Sequence, residues 1–537
     1  MRTRELFDLG GGTIGGLLAA RAAANPDKVA VTCNNQPRTF QELDRAATVV
    51  GSALLALDRR FGDSVGIYLS NRIEHIETWM GTAKAGLVQV PINTAYKHSF
   101  LEHALTHPDV RVLITESSLA SALTDLPGLS TLLDAVVFVD HVPDTAHGVA
   151  PTVLTWADLL GLGDPDHQFG PVRPEDVTAI QLTSGTTGKS KGVVVPHLHN
   201  ITGAREGATA MGTTRGDRLY TCLPLFHGAA QVNVFLRGLY AGATSIVAPK
   251  FSASRFWDDI RTHRATEFNA LGSILPMLLA QPESEHDRDH TVERVFAAPA
   301  PPDVLHRFED RFGVHIVEGY GSTEIKNVTY NPLDDRRIGS IGKPTSSTIL
   351  EIHDANGNPA GPGTVGEIVY RPRLPHIMFK QYYRDPEATL ATIHDLWWHT
   401  GDLGYADYDG FFYFVDRKKD ALRRRGENIS SHEVETILAS FPGVIEAAAV
   451  ATPSNLGEDE VLAVLHVDQP DTFDFKALFH HCDRLMPHFM VPRFYRVVDV
   501  LPRTPTGKIR KVELRESGHN TDVWDAHAHG LVPTRNI

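Results

Sequence analysis

Cysteine is scarce in this chain, which carries three in 537 residues, Cys33, Cys222 and Cys482. The count is odd and no two stand close together, so neither a disulfide framework nor a cysteine-based zinc site is written into the sequence. A reducing, cytoplasmic setting is the expectation that follows. Long apolar runs are missing as well. Nowhere do about 18 apolar residues follow one another without a charge, which excludes a membrane-spanning helix. Asp8 and Arg21 interrupt the N-terminal stretch that has some look of a signal peptide, so none is expected. Positive charge is not in excess either: 51 Lys and Arg stand against 65 Asp and Glu, a formal charge of −14. That balance argues against a dedicated nucleic-acid or anionic-membrane binder while leaving room for a local basic anion site. Internal repeats and low-complexity tracts are absent.

What is present is a pattern of strands and helices. Short β-branched runs at 29–33, 65–69, 88–92, 110–114, 135–139, 244–248 and 267–271 alternate with helix-length segments, as in parallel α/β sheets. The amphipathic stretches 40–57 and 99–106 precede two of these runs as βα units would. A Pro- and Gly-rich passage at 142–174 reads as a surface connection. After Gly401 the texture changes: the run 411–415 enters the charge cluster Asp416-Arg417-Lys418-Lys419-Asp420. Behind it lies a smaller α+β pattern, with helices expected at 432–440 and 475–486 and strands at 446–451, 460–467 and 494–500. The expected fold class is therefore α/β. A large N-terminal domain of stacked α/β subdomains would occupy 1–417, a small mobile α+β C-terminal domain 418–516, and a flexible polar tail 517–537.

The chemistry is concentrated in short motifs. The segment Thr183-Ser184-Gly185-Thr186-Thr187-Gly188-Lys189-Ser190-Lys191-Gly192 follows a predicted strand at 177–182. Its glycines let backbone N–H groups converge, and its hydroxyls and lysines complete a nest for phosphate. It is not a Walker A loop, which needs four residues between its glycines, whereas Gly185 and Gly188 enclose two. A second Gly-rich piece, Gly319-Tyr320-Gly321-Ser322-Thr323-Glu324, fails as a dinucleotide fingerprint because Glu324 stands where the third glycine belongs. By itself it reads equally as a tight strand-to-helix turn. Beside a phosphate site, however, a carboxylate suits a divalent cation, since Mg²⁺ takes one or two carboxylates together with phosphate oxygens and water. Then come His399-Thr400-Gly401-Asp402, Asp416-Arg417, Gly426-Glu427-Asn428 and Pro505-Thr506-Gly507-Lys508. His480, His481 and Cys482 sit side by side on a predicted helix, where neighbours diverge by about 100°, and so do not read as a metal cluster.

In this order and at these distances the motifs resemble the adenylate-forming superfamily of acyl-CoA synthetases, luciferase and peptide-synthetase adenylation domains, over about residues 14–512. The runs at 411–417, 426–430 and 489–493 look most like its carnitine/crotonobetaine–CoA ligase branch. The resemblance implies that Thr183, Ser184, Gly185, Thr186, Thr187, Gly188 and Lys191 hold the triphosphate of ATP. Tyr320, between Gly319 and Gly321, would stack on adenine with Ala298 and Pro299 across the base, although Phe296-Ala297 replaces a pair of glycines usual in relatives. Thr323 would touch the α-phosphate, Glu324 would bind Mg²⁺, Asp402 and Arg417 would grip the ribose, and Lys508 would bridge the acyl oxygen and the α-phosphate. His227 would line the acyl pocket, Lys419 would be the hinge of the C-terminal domain, and Gly426 would approach the thiol of CoA. Lys326 would face either substrate or solvent, and the run 423–425 is either a solvated loop or a contact for phosphates.

The implied function is an ATP-dependent carboxylate–CoA ligase: carboxylate and ATP give an acyl-adenylate and pyrophosphate, and the CoA thiol then displaces AMP. One alternative is an adenylation-only enzyme serving a separate carrier protein or another nucleophile; another is a noncatalytic nucleotide-binding relative. Partners are a small-molecule carboxylic acid and CoA, with neither nucleic acid nor membrane insertion expected. Two anions must meet for the first step, so cations at the α-phosphorus and accurate alignment are what the chemistry demands.

Overall fold

The computed structural model describes residues 10–126, 128–146, 148–183, 190–271, 274–298, 300–417, 422–424, 427–429, 431–453, 459–486, 488, 490–503, 508–518 and 522–533. The chain divides into two compact units. The first comprises residues 1–185, 189–349 and 371–396, the second 186–188, 350–370 and 397–537.

Two largely parallel sheets build the first unit. One has nine strands in the order Lys343–Pro344, Lys326–Tyr330, His315–Ser322, Arg294–Ala298, Glu267–Leu271, Arg218–Thr221, Thr244–Val247, Val29–Cys33, Gln36–Thr39. The other has seven: Thr152–Thr155, Ala135–Phe138, Val112–Thr115, Ser64–Tyr68, Val88–Pro91, Val177–Thr183, Lys191–Pro196. The inner strands are almost continuously buried, as expected of sheets covered on both faces. Helices Ile14–Ala24, Phe40–Ala56 and Ile73–Ala85 share one apolar core with strands of both sheets, among them Val31 and Val247 of one and Ile67, Ile114 and Val137 of the other. The second of these helices starts on a capping box in which Thr39 and Glu42 satisfy each other's backbone N–H groups.

Each sheet carries an antiparallel hairpin toward one edge, Val177–Thr183 with Lys191–Pro196 and His315–Ser322 with Lys326–Tyr330. The second Gly-rich motif is thus the tip of a hairpin, where the sequence left a strand-to-helix turn open. The passage 142–174 does more than connect, since it supplies the edge strand Thr152–Thr155 and a short helix capped by Thr155 and Asp158.

In the second unit Trp397–Ala406 pairs antiparallel with Phe412–Arg417 and with Gly366–Tyr370. Beyond it the order Val444–Pro453, Asp459–Val467, Phe494–Val497, Trp524–Asp525 forms a further sheet with helices Ser431–Ala439 and Phe475–Leu485. The Asp416 carboxylate accepts the backbone N–H of Ser431 at 2.6 Å and so caps the first of these helices. The expectation of a frayed tail from 517 is corrected at 522–533. Trp524–Asp525 adds an antiparallel edge strand to Phe494–Val497. Trp524 stacks on Phe475 with centroids 5.4 Å apart, and the Asp525 carboxylate takes a forked pair of hydrogen bonds from Arg493 at 3.0 and 2.9 Å. A polar composition hid one anchoring tryptophan. Trp524→Ala should destabilise this unit by about 2 kcal/mol, the lower range for losing a large aromatic that is only half buried. Denaturant melts with hydrogen exchange along 494–497 check it.

Candidate active site

The first hairpin delivers the phosphate-nest motif. Thr183 and Lys191 are its last paired residues, and the Thr183 hydroxyl reaches the Lys191 carbonyl at 3.4 Å. Ser184, Gly185, Thr186, Thr187 and Gly188 lie outside the described residues. Ser190, at the far foot of the loop, is fastened by the ring Nε2 of His103, which donates to its carbonyl at 2.8 Å. The Lys191 ammonium stands 4.6 Å above the ring of Tyr382 and makes no ion pair among the described residues.

The second hairpin carries Tyr320 opposite Thr329 and Gly321 opposite Asn327. A Cβ on Gly321 would fall 1.9 Å from the Lys326 carbonyl, so only glycine permits so tight a return. Thr323 and Glu324 form the tip. The Glu324 carboxylate is held on both oxygens, by the Ser322 hydroxyl at 2.7 Å and the Tyr382 phenol at 2.9 Å, and its carbonyl accepts the Phe379 N–H. Burial and the Glu324 carboxylate push the Tyr382 phenol above its ordinary value, which keeps it a donor. Ala298 ends the neighbouring parallel strand; Pro299 lies outside the described residues. The Phe296 ring fills the space beside Gly319, where a Cβ would meet it at 2.9 Å.

Lys326 turns neither to solvent nor to an open face. Its ammonium is buried at 2.7 Å from Glu206, whose other oxygen accepts the Ser347 N–H. Against the penalty of burial, Lys326 and Ser347 hold the Glu206 carboxyl below its usual range. His227 heads a short helix, its Nδ1 accepting the Ala229 N–H at 3.2 Å, and a π-helical turn Gln231–Leu236 follows. Gln231 is buried and hydrogen-bonded to both Gln89 and Gln181, so a polar layer lies behind this turn.

In the second unit Asp402 and Arg417 are direct cross-strand partners. The strand around Asp402 is kinked at Gly401, at φ 71°, and held by Glu367, which accepts the Gly401 N–H at 3.0 Å and contacts His399 at 3.2 Å. The Thr400 hydroxyl accepts the Asp402 N–H. The Arg417 side chain, Lys419 and Gly426 lie outside the described residues. Lys508 is described and exposed. Cys482 is buried in the core, His481 meets Ser440, and no metal-holding cluster of His, Cys, Asp or Glu occurs among the described residues.

Residues 18–383 match the AMP-binding enzyme family and residues 433–508 the AMP-binding enzyme C-terminal domain. The chain belongs to this family. It is 33% identical over 520 residues to a sulfoacetate–CoA ligase of Cupriavidus necator, covering 95% of this chain and 98% of that protein. To a crotonobetaine/carnitine–CoA ligase of Shigella dysenteriae it is 31% identical over 492 residues, 89% of this chain and 93% of the relative. Among solved structures, an anthranilate CoA ligase in complex with anthranoyl-AMP superposes with a TM-score of 0.87 at 25% identity, over 96% of this chain and 99% of that one. An o-succinylbenzoate CoA synthetase from Bacillus subtilis with ATP and magnesium ion gives 0.80 at 26% identity, over 93% and 98%. The protein is accordingly an AMP-forming acyl-CoA synthetase, an ATP-dependent CoA ligase working through an acyl-adenylate. No helix among the described residues is long and apolar enough to cross a membrane.

Two residues carry no sequence signal: Tyr382 and Glu318 belong to no motif quoted above. Glu318 shares a strand face with Tyr320, two places on, and burial pushes its carboxyl up to about 8 despite Asn331, Arg336 and the N–H groups of Ala300 and Gly339. Between its ordinary value of 4.5 and about 8 the folded chain keeps a proton that the unfolded chain has released. Stability therefore falls as pH rises through that window, by at most about 1.4 kcal/mol per pH unit for one proton. Glu318→Gln should flatten this slope, as urea melts between about pH 5 and pH 8 will check.

Proposed function

We propose that the triphosphate of Mg·ATP is taken by the loop from Thr183 to Lys191 and by Glu324, with Tyr320 under adenine beside Ala298 and Pro299, and Thr323 at the α-phosphate. Asp402 and Arg417 take the ribose hydroxyls, a two-oxygen acceptor and a forked donor. Lys508 neutralises charge developing at the α-phosphorus. The observation that carries this reading is the meeting of Lys191 and Glu324, from the tips of two different hairpins, on the single side chain of Tyr382. A cation and a carboxylate set this far apart in sequence and brought to one tyrosine suit a polyphosphate with its divalent ion. Magnesium arrives with the nucleotide, and the Glu324 carboxylate fits it: each oxygen accepts one hydroxyl and retains a second lone pair for a hard cation.

The boundary between the adenylating part, 1–417, and the C-terminal part, 418–516, belongs to the same proposal. Rotation about Lys419 exchanges the face that carries Lys508 for the one that carries Gly426, so that a single site serves both half-reactions. The acid to try first is a short one with a second polar or charged group. Supporting this choice are the glutamine layer beside His227 and the relatives named for sulfoacetate and crotonobetaine or carnitine.

Lys508→Ala should lower acyl-adenylate formation by about 10²–10³-fold or more, the loss typical of removing a donor aimed at developing charge. A supplied acyl-adenylate should still be converted to thioester. Pyrophosphate release with a panel of acids, with and without CoA, measures the first step, and equal loss of both steps sinks the assignment. Lys419→Pro fixes φ near −65° and removes a donor. Single-turnover pyrophosphate release should largely survive it while thioester formation is lost, and unchanged rates in both steps would place the hinge elsewhere.

A further inference from the structure

We propose that Tyr382 is a positioning residue for the metal-dependent half of the reaction, its hydroxyl aiming the Glu324 carboxylate and its ring seating the Lys191 ammonium. This rests on the reading of Glu324 as the magnesium carboxylate. Tyr382 is 5% exposed, so its hydroxyl is committed inside the protein, with the Thr392 side chain on one side, and the hydrogen it donates goes to Glu324 Oε1 at 2.9 Å. The same ring lies 4.6 Å beneath Lys191 Nζ, close enough for a cation–π contact that holds the ammonium without a carboxylate to neutralise it. An ion-paired lysine would meet the triphosphate already neutralised; a lysine seated on a ring keeps its charge for the phosphate.

The backbone on either side fixes where this tyrosine stands. Phe379 donates to the Glu324 carbonyl, Lys380 to Val194, Val194 back to Gln381, and Tyr383 to Gly192. The strip 379–383 therefore laces the tip of one hairpin to the outgoing strand of the other, and Tyr382 is the residue on it that touches both functional side chains. A carboxylate that meets a metal is commonly oriented by a hydrogen bond from behind, and losing such a support typically costs about 10–100-fold in metal affinity. Tyr382 occupies that place, and its aromatic body explains why serine or threonine would not serve as well.

Tyr382→Phe separates the two functions, for it keeps the ring under Lys191 and removes the hydroxyl. The half-saturating Mg²⁺ concentration for pyrophosphate release should rise about tenfold, with kcat at saturating Mg²⁺ far less affected. Calorimetric binding of a non-hydrolysable ATP analogue should weaken in Mg²⁺ and stay unchanged in EDTA. Thioester formation from supplied acyl-adenylate, which needs no triphosphate, checks that the variant is folded. Glu324→Gln in the same assays tests the parent reading: if it leaves the Mg²⁺ requirement unchanged, the metal assignment fails and this inference with it. If Glu324→Gln raises that requirement and Tyr382→Phe does not, the positioning role alone is overturned. Equal weakening of nucleotide binding by Tyr382→Phe with and without Mg²⁺ would likewise overturn it.

Discussion

Two anions have to be joined, and that electrostatic constraint governs how this protein uses its charges. A chain of net charge −14 repels both ATP and a carboxylate at long range, so attraction has to be local. Much of its buried positive charge is unavailable for that purpose. Arg237 pairs with Glu267 at 2.8 Å, Arg294 reaches Asp217 and Glu267, and Lys326 is matched by Glu206. The Arg237 and Lys326 pairs tie a helix to a strand and the Arg294 contacts join neighbouring strands inside the first unit, and they are costly to break, because removing one partner strands the other away from water. Lys191 differs from them in standing at a hairpin tip over an aromatic face. Where cations are neutralised inside the protein they serve folding, and where one is left without a carboxylate it can serve substrate.

The sheet architecture explains how the foot of that loop is anchored. A strand pair ending in a phosphate loop cannot satisfy the loop's backbone by its own ladder, and an unanchored tip would have to be ordered by the ligand at a cost in affinity. Here the foot of the loop is fastened from one side by His103 at Ser190 and from the other by strip 379–383 along Gly192 and Val194. The Glu324 turn is fastened by that same strip. The anchoring of the foot of this loop thus comes in part from hydrogen bonds between segments nearly two hundred residues apart.

This separation marks the limit of what the sequence discloses. The strands expected at 29–33, 88–92, 135–139, 244–248 and 267–271 all appear, since hydrophobic runs of that length bounded by turn residues report burial on two faces. The small α+β pattern behind residue 418 appears within a residue or two at most of its ends, strand 494–500 stopping early at Val497. Glu324 and Asp402 stand out in the sequence because each sits beside glycines in a short motif, which leaves a local signature. Tyr382 leaves none: in Phe379-Lys380-Gln381-Tyr382-Tyr383 nothing distinguishes it from the tyrosine beside it, and only the register against Gly192 and Val194 settles which ring faces Lys191. The edge strand at Trp524 was hidden for a related reason, because two residues of strand have no periodicity to read.

Asp402 illustrates how the second unit solves the same problem with fewer parts. The proposed ribose contact needs a carboxylate and a forked donor close together, and the antiparallel ladder sets Asp402 and Arg417 directly opposite by register. A slip of one residue would end that pairing. Register is protected by the kink at Gly401 and by Glu367, which binds the Gly401 N–H and His399 across the neighbouring strand. The proposed triphosphate end of the first unit is laced by a separate segment, whereas this strand kink is braced within its own sheet. A kink braced within its own sheet keeps its register without help from any distant segment, which is the property the proposed function asks of a part that holds the same ligand group through both half-reactions.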